Sequence, residues 1–364
     1  MSDPSTGLIE RAAALSRFAR RLLVHPPRLF EPSSVADPCD RSRIRAMLGA
    51  VTASDQHTLA RVLRQVRQAV LLHTIVRDLN GLATLAEVFD TVTALAEESL
   101  QCASRHLEGW LRQSFGTPRA VSSGLPLSLV VVGMGKLGGQ ELNVSSDVDL
   151  VLLYPEEGHT DGTRSIENQD FFTRLARQLI GALAEYTEDG HVFRVDMRLR
   201  PYGDSGPLTM SYDALEAYLQ TQGREWERYA WVKARVIGAS PCPTLDNLIT
   251  PFVYRRHLDY SAIASLRSLH AQIRAEVTRR DLHDNIKLGP GGIREVEFVT
   301  QMFQLVRGGR DADLRVRPTL AALRALENRR VLPDEAVRQL SDAYRYLRNL
   351  EHRLQYLDDQ QTQT

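Results

Sequence analysis

The sequence predicts an α+β protein in which a small mixed sheet lies between two mostly helical parts. Three observations predict this. Apolar residues recur at helical spacing through the first 120 residues and again after residue 241. Between them, Val130–Tyr154 reads as strand, glycine turn, short polar segment and second strand. A further stretch, His191–Arg200, alternates apolar and polar side chains from Phe193 onward. The expected organisation is a helical part over 1–120, a mixed domain over 121–240 and a helical part with a glycine-rich loop over 241–364.

In chain order, Leu8, Leu15, Phe18 and Leu22 predict an amphipathic helix over 7–24, which Pro26-Pro27 ends. A proline- and serine-rich loop follows, through Asp40. Leu59, Val62, Val66 and Val70 form the apolar stripe of a helix over 58–79, stopped by Asn80-Gly81. Thr84 and Glu87 suit a capping box for a third helix, whose face is Leu85, Val88, Val92 and Leu95 and which runs on to Trp110. His57, His73 and His106 share no metal-ligand spacing. The small, polar stretch Gly116–Gly124 marks a boundary.

The mixed domain opens with the apolar run Val130–Val132, followed by Gly133, Gly135, Gly138 and Gly139. Glycine serves where backbone turns tightly or approaches a ligand. Ser145-Ser146 lead into Asp147-Val148-Asp149-Leu150. Strand alternation puts Asp147 and Asp149 on one face and Val148, Leu150 and Leu152 on the other. Two carboxylates side by side repel, and a divalent cation between them relieves the cost. The spacing Gly133-x-Gly135-x-x-Gly138 also matches a dinucleotide fingerprint, but the acids come too early for a ribose contact. Lys136 is not followed by Ser or Thr, so a Walker-type loop fails as well.

A helix is expected over Asp170–Tyr186, from Phe172, Leu175, Leu179 and Leu183. The strand at 191–200 then places Phe193, Val195, Met197 and Leu199 on one face and Arg194, Asp196, Arg198 and Arg200 on the other. One aspartate among three arginines suits a site that handles phosphate and metal together; mixed solvated charge is the plain reading. Gly203-Asp204-Ser205-Gly206-Pro207 echoes a serine-protease nucleophile segment, but without that context it is a turn. Residues 211–237 read as helical, with Arg228, Lys233 and Arg235 as solvated charges or, together, phosphate contacts. After a break at Ser240–Thr244, Leu266, Leu269, Ile273 and Val277 predict another helix. Ile286–Glu295, with three glycines and a proline before a helix and Lys287 and Arg294 on either side, has the composition of an anion site at a helix N-terminus, or of a plain helix–loop–helix turn. A last amphipathic helix covers 334–357.

The bulk numbers bound the function. A chain of 364 residues, 43% hydrophobic, is long enough for a substantial core. Lys plus Arg equals Asp plus Glu at 45 each, so no basic field argues for nucleic acid. Cys39, Cys102 and Cys242 lie far apart, as reduced thiols do. No apolar run reaches membrane-spanning length, and the arginine-bearing N-terminus lacks the apolar core of a signal peptide. The expectation is a soluble, cytoplasmic protein that engages no membrane.

Four segments, GMGKLGGQELNVSSDVDLVLLYPE, VDMRLRPYGDSGPL, GREWERYAWVKARVIG and IKLGPGGIREVEF, occur in this order over Leu125–Gly309. Together they resemble the bifunctional glutamine-synthetase adenylyltransferase/adenylyl-removing enzymes of bacteria, within the nucleotidyltransferase superfamily that includes the DNA polymerase beta palm. Val144 and Thr300 depart from the residue types common there. The resemblance is to the N-terminal, adenylyl-removing unit, and implies a chain that ends just past its helical part. It implies a palm-like sheet and removal of AMP from an adenylylated tyrosine of glutamine synthetase, with orthophosphate as acceptor and ADP as product. Asp147, Asp149 and Asp196 are then the expected catalytic residues and Mg²⁺ ligands. Gly133, Gly135 and Ser146 would cradle the nucleotide phosphates, and Arg198, Arg200 and Lys287 would hold the incoming phosphate. A PII-type signal protein is the implied regulator. Two alternatives stay open at this point: adenylyl transfer from ATP to a glutamine synthetase tyrosine, and a catalytically silent nucleotide-binding regulatory module.

Overall fold

A computed structural model describes residues 4–49, 53–238, 242–256 and 285–360, with the isolated positions 268, 271, 275 and 279. The expected stripe Leu266, Leu269, Ile273 and Val277 lies outside the described residues.

The sheet is mixed, and its middle strand organises it. β1 (Val130–Gly133) runs antiparallel to β2 (Val148–Tyr154), pairing Val130 with Leu153 and Gly133 with Leu150. The other edge of β2 is shared by two short parallel strands. β3 (Val195–Asp196) pairs with its start, placing Asp196 beside Asp149, and β4 (Thr209–Ser211) pairs with its end. β5 (Arg235–Val236) closes the far side, antiparallel to β1.

Both faces of β2 are covered. Val148, Leu150 and Leu152 enter the main core, with Val88, Val92 and Leu95 of helix Leu85–Phe115 and Phe171, Phe172 and Leu175 of helix Asn168–Ala184. Helix Gln56–Leu79 contributes Leu59, Leu63, Val66 and Val70 to the same core, so the first helices and the sheet bury one continuous apolar surface. Val151 and Leu153 face a second cluster with Val132, Met210, Leu215 and Trp231. By alternation Asp149 lies on this second face, at the strand start where the apolar cover ends. A third cluster, including Ile293, Val296, Leu323, Val337 and Tyr344, joins helices Ile293–Arg307, Thr319–Asn328 and Asp334–Gln355.

Several elements differ from expectation, each for a local reason. The helix over 7–24 is two helices, Pro4–Leu15 and Arg17–Val24, because the Ser16 hydroxyl accepts from the Ala19 amide at 2.9 Å and starts a new one. Thr84 caps the Glu87 amide, but the Glu87 carboxylate pairs with Arg77 at 2.6 Å, so the box is half made. The strand over 191–200 shrinks to Val195–Asp196: the Asp196 carboxylate accepts the Arg198 amide at 2.8 Å, turns the chain, and leaves β4 to continue along β2. The helix over 211–237 becomes Tyr212–Thr221 and Glu225–Trp231, with Gly223 between them and β5 afterwards. Helix Arg41–Gly49 was not foreseen.

Candidate active site

A cavity of about 550 Å³ opens where β2 and β3 begin. The sheet side supplies Gly135, Lys136, Ser146, Asp147, Asp149, Asp196 and Arg198. The helical side supplies Trp226 and Tyr229 and, from the C-terminal part, Lys287, Arg294, Gln301 and Glu351.

The carboxylates differ in their partners. Asp149 and Asp196 are lateral neighbours in the parallel pairing of β2 and β3, which sets their backbones about 4.8 Å apart. Asp196 accepts from Arg198 Nε at 2.9 Å and from its Nη2 at 2.5 Å, and this pairing holds its carboxyl below the usual range. Asp147 lies just ahead of the strand, and its Oδ1 accepts from Arg194 Nε at 2.6 Å. Among the described residues no donor bonds the Asp149 carboxylate. Burial, then the charge of Asp196, push it up to about 6, with Asp147 adding to the rise and Lys287 and Lys136 opposing it.

The three expected acids thus border one cavity, but they are not gathered on one point. Among the described residues no three His, Cys, Asp or Glu side chains form a group able to hold a metal ion. Arg194 draws Asp147 aside, and Arg198 occupies Asp196. The donor chemistry nevertheless fits a hard divalent cation: Asp149 offers an unpartnered, half-desolvated carboxylate beside a second one.

The other expected residues divide. Gly135 lines the cavity at φ +50, and a Cβ there would lie 2.8 Å from Asp149 Oδ2, so only glycine leaves that carboxylate in place. Ser146 also lines it; its buried hydroxyl accepts from the Asn143 amide at 3.1 Å. Lys287 and Arg294 reach the cavity with no hydrogen-bond or ion-pair partner for their side chains among the described residues. Gly133 does not line it: its missing side chain makes room for Leu137 and Ile237, which a Cβ would meet at 2.8 and 2.9 Å. Arg200 is also outside; its buried guanidinium donates to the Met197 carbonyl at 2.8 Å and fastens the turn after β3. The glycine-rich loop at 286–292 is not an anion nest. The amides of Gly292, Ile293 and Arg294 donate to the loop's own carbonyls at 2.9–3.0 Å, and that of Gly291 donates to Glu295. Arg228 and Arg235 serve internal contacts, the first with Glu225 and the Phe252 and Val253 carbonyls, the second with Glu97 and Gly138.

Lys136 and Glu351 were not singled out as site residues from sequence, and Lys233 was expected only as a solvated charge or a phosphate contact. Lys136 Nζ lies 2.6 Å from Glu351 Oε1, 215 residues later. Burial, with Arg348 and Lys287 nearby, pulls the Lys136 ammonium down to about 8 against the pull of Glu351. Burial alone would raise the Glu351 carboxyl, but Lys136 and Arg348 outweigh it and hold it at about 2. Lys233 is buried between Glu141 and Glu297, at 2.9 Å from each. A separation of hundreds of residues leaves no periodic trace. The one legible sign was the polar row Arg294, Glu297 and Gln301, at i, i+3 and i+7, on a helix whose other side is apolar.

Adjacent-strand carboxylates behind a glycine turn, with Lys287 and Arg294 lining the same cavity, make this core that of a nucleotidyltransferase. Comparison of the sequence with family models narrows the class. Residues 7–248 match the model described as glutamate-ammonia ligase adenylyltransferase, and the chain belongs to that family. Residues 267–364 match a model described as GlnD PII-uridylyltransferase. Curated relatives named bifunctional glutamine synthetase adenylyltransferase/adenylyl-removing enzyme include one from Nitrosomonas europaea, 56% identical over 100% of this chain and 40% of its own length. Those from Nitrosomonas eutropha and Chromobacterium violaceum are 51% and 52% identical, over 99% and 100% of this chain and 40% and 41% of their own lengths. The chain therefore spans about 40% of these relatives and corresponds to the N-terminal half of that enzyme.

Proposed function

We propose that this chain removes AMP from an adenylylated tyrosine of glutamine synthetase by phosphorolysis, in the bacterial cytoplasm. An oxygen of hydrogen phosphate attacks the α-phosphorus, and the bond from that phosphorus to the tyrosine oxygen breaks. The bonding pair leaves with the phenolate, which takes the proton that hydrogen phosphate brought, so the products are ADP and free tyrosine. Asp149 and Asp196, joined by Asp147, are the residues that would hold Mg²⁺, and bound Mg²⁺ supplies neutralisation of phosphate charge. Lys287, Arg294 and Arg198 hold the attacking anion, since phosphoryl transfer depends mainly on positioning and charge.

The observation that carries the reading is the contrast within one cavity. On the sheet side Asp149 has no donor of its own among the described residues, beside an Asp196 that Arg198 holds, and on the helical side Lys287 and Arg294 have no hydrogen-bond or ion-pair partner among the described residues. Such cations suit an acceptor anion like orthophosphate. The relatives' names cover both directions of adenylyl chemistry, and the match of residues 267–364 supports a PII-type signal protein as regulator.

The test is to incubate the chain with adenylylated glutamine synthetase, phosphate and Mg²⁺, and to measure ADP. Pyrophosphate released from ATP in the presence of the unmodified substrate would show the opposite direction instead. Asp149→Asn should abolish ADP formation and Mg²⁺ binding. It should not lower stability near neutral pH, because a carboxyl raised to about 6 in the folded chain opposes folding wherever it is ionised. A variant with undiminished turnover removes Asp149 from the chemistry.

A further inference from the structure

Besides its charged groups, the cavity has apolar and aromatic lining residues and a buried amide. Leu199 and Leu288 line it, together with Trp226 and Tyr229 from helix Glu225–Trp231. Tyr229 is packed against Phe298 of helix Ile293–Arg307, with ring centroids 5.6 Å apart. The Trp226 indole, by contrast, is 38% exposed, and among the described residues no ring packs on it. One helical turn beyond Phe298 is Gln301, only 5% exposed, which also lines the cavity. Among the described residues nothing hydrogen-bonds its side-chain amide. The amide is not among the fully buried unpaired groups, so it opens to the cavity with donor and acceptor both free of protein partners among the described residues, and a ligand can pair both atoms at once.

We infer that this part of the cavity is a nucleobase pocket: a purine lies against Trp226 and Tyr229 while Gln301 reads its edge. The amide selects a 6-amino purine. Its carbonyl accepts from the exocyclic amine and its N–H₂ donates to the adjacent ring nitrogen, which is how glutamine recognises adenine. On the N7 edge a 6-oxo purine presents two acceptors, N7 and O6, so the amide N–H₂ can still donate but its carbonyl meets O6 with no proton between them. An aromatic wall suits a base because every base has a π-face. The ring of a protein-borne tyrosine is the other candidate occupant, but an esterified phenol offers no paired donor and acceptor. Gln301 also sits on the same helix face as Arg294, which lies two turns earlier and lines the same cavity. Base and phosphate would therefore be bound by one helix. The inference rests on the phosphorolysis reading only for the identity of the nucleotide; the pocket can be tested without glutamine synthetase.

The experiment is calorimetric titration of the whole chain with Mg·ADP and Mg·GDP, using the wild type, Gln301→Leu and Trp226→Ala, with folding checked by circular dichroism. Wild type should prefer ADP at least roughly tenfold, the value of one bidentate base contact. Gln301→Leu should erase that preference. Trp226→Ala, at a more exposed position, should weaken both nucleotides by about tenfold without changing their ratio. Equal binding of ADP and GDP by the wild type overturns the inference. So does an unchanged preference in a folded Gln301→Leu. If Gln301→Leu does not fold, unaltered binding by Trp226→Ala overturns it. A wild-type base preference that Gln301→Leu erases, together with failed phosphorolysis, leaves the pocket and sinks the reaction; ADP production with no base preference does the reverse.

Discussion

At Gly135 a single methyl group decides whether Asp149 keeps its place. The backbone there has positive φ, and the first atom of any side chain would press on a carboxylate oxygen. Gly135→Ala should cost about 1–2 kcal/mol in unfolding free energy, from the left-handed backbone. It should lower phosphorolysis far more than that loss implies, because the displaced carboxylate is the one the chemistry needs. Denaturant unfolding and ADP formation, measured on the same preparation, check both parts. The residue scale is also where sequence reading went furthest. Alternation along β2 and β3 brought Asp149 and Asp196 to one cavity, since strand geometry leaves a side chain only two directions. It failed at Gly133 and Arg200. Glycine needed for packing against Leu137 looks the same in a sequence as glycine needed for a phosphate, and an arginine that turns inward after a two-residue strand looks like one that stays on its face.

At the scale of elements, the helix Asp334–Gln355 clamps the segment between the glycine turn and β2. Arg348 donates to the Glu141 carbonyl and to Asn143 Oδ1, the Glu351 carboxylate accepts from Lys136 and Asn143, and Gln355 Oε1 accepts from the Ser145 amide at 3.1 Å. Positions 348, 351 and 355 fall on one helical face. The Glu351 carboxyl is held at about 2 against an ordinary 4.5. Its stabilising effect is therefore complete above 4.5 and is lost as pH falls through about 2. Lys136 is protonated throughout that window and adds no slope. Glu351→Gln should flatten the acid limb of the stability curve between these values by roughly 3 kcal/mol, read from urea midpoints at successive pH. The amphipathic period of this helix was legible in the sequence; its job was not, because the partners lie some 210 residues upstream.

At the scale of the whole molecule, Lys233 ties the sheet to the last helices. Its ammonium sits between Glu141, after the glycine turn, and Glu297, with Thr319 Oγ1 at 3.1 Å. Burial would lower its pKa, but the two carboxylates outweigh this and raise it, so the charge is fixed in place. Lys233→Met leaves two buried carboxylates without their cation and should cost on the order of 3–5 kcal/mol, seen as an earlier denaturant midpoint. The general plan, helices on either side of a mixed sheet, followed from periodicity alone. The closure of the cavity by the C-terminal helices did not, because sequence pattern reports which face of an element is buried and not which distant element buries it.

The glycine-rich segment ahead of Ile293 has a mechanical meaning. With its amides already bonded to its own carbonyls and to the flanking Asn285 and Glu295 side chains, it is a stiff pedestal instead of an adaptable grip. Whatever compliance Lys287 has toward an arriving oxyanion comes from its tetramethylene tether, so the ammonium can follow a shifting charge while its anchorage stays still.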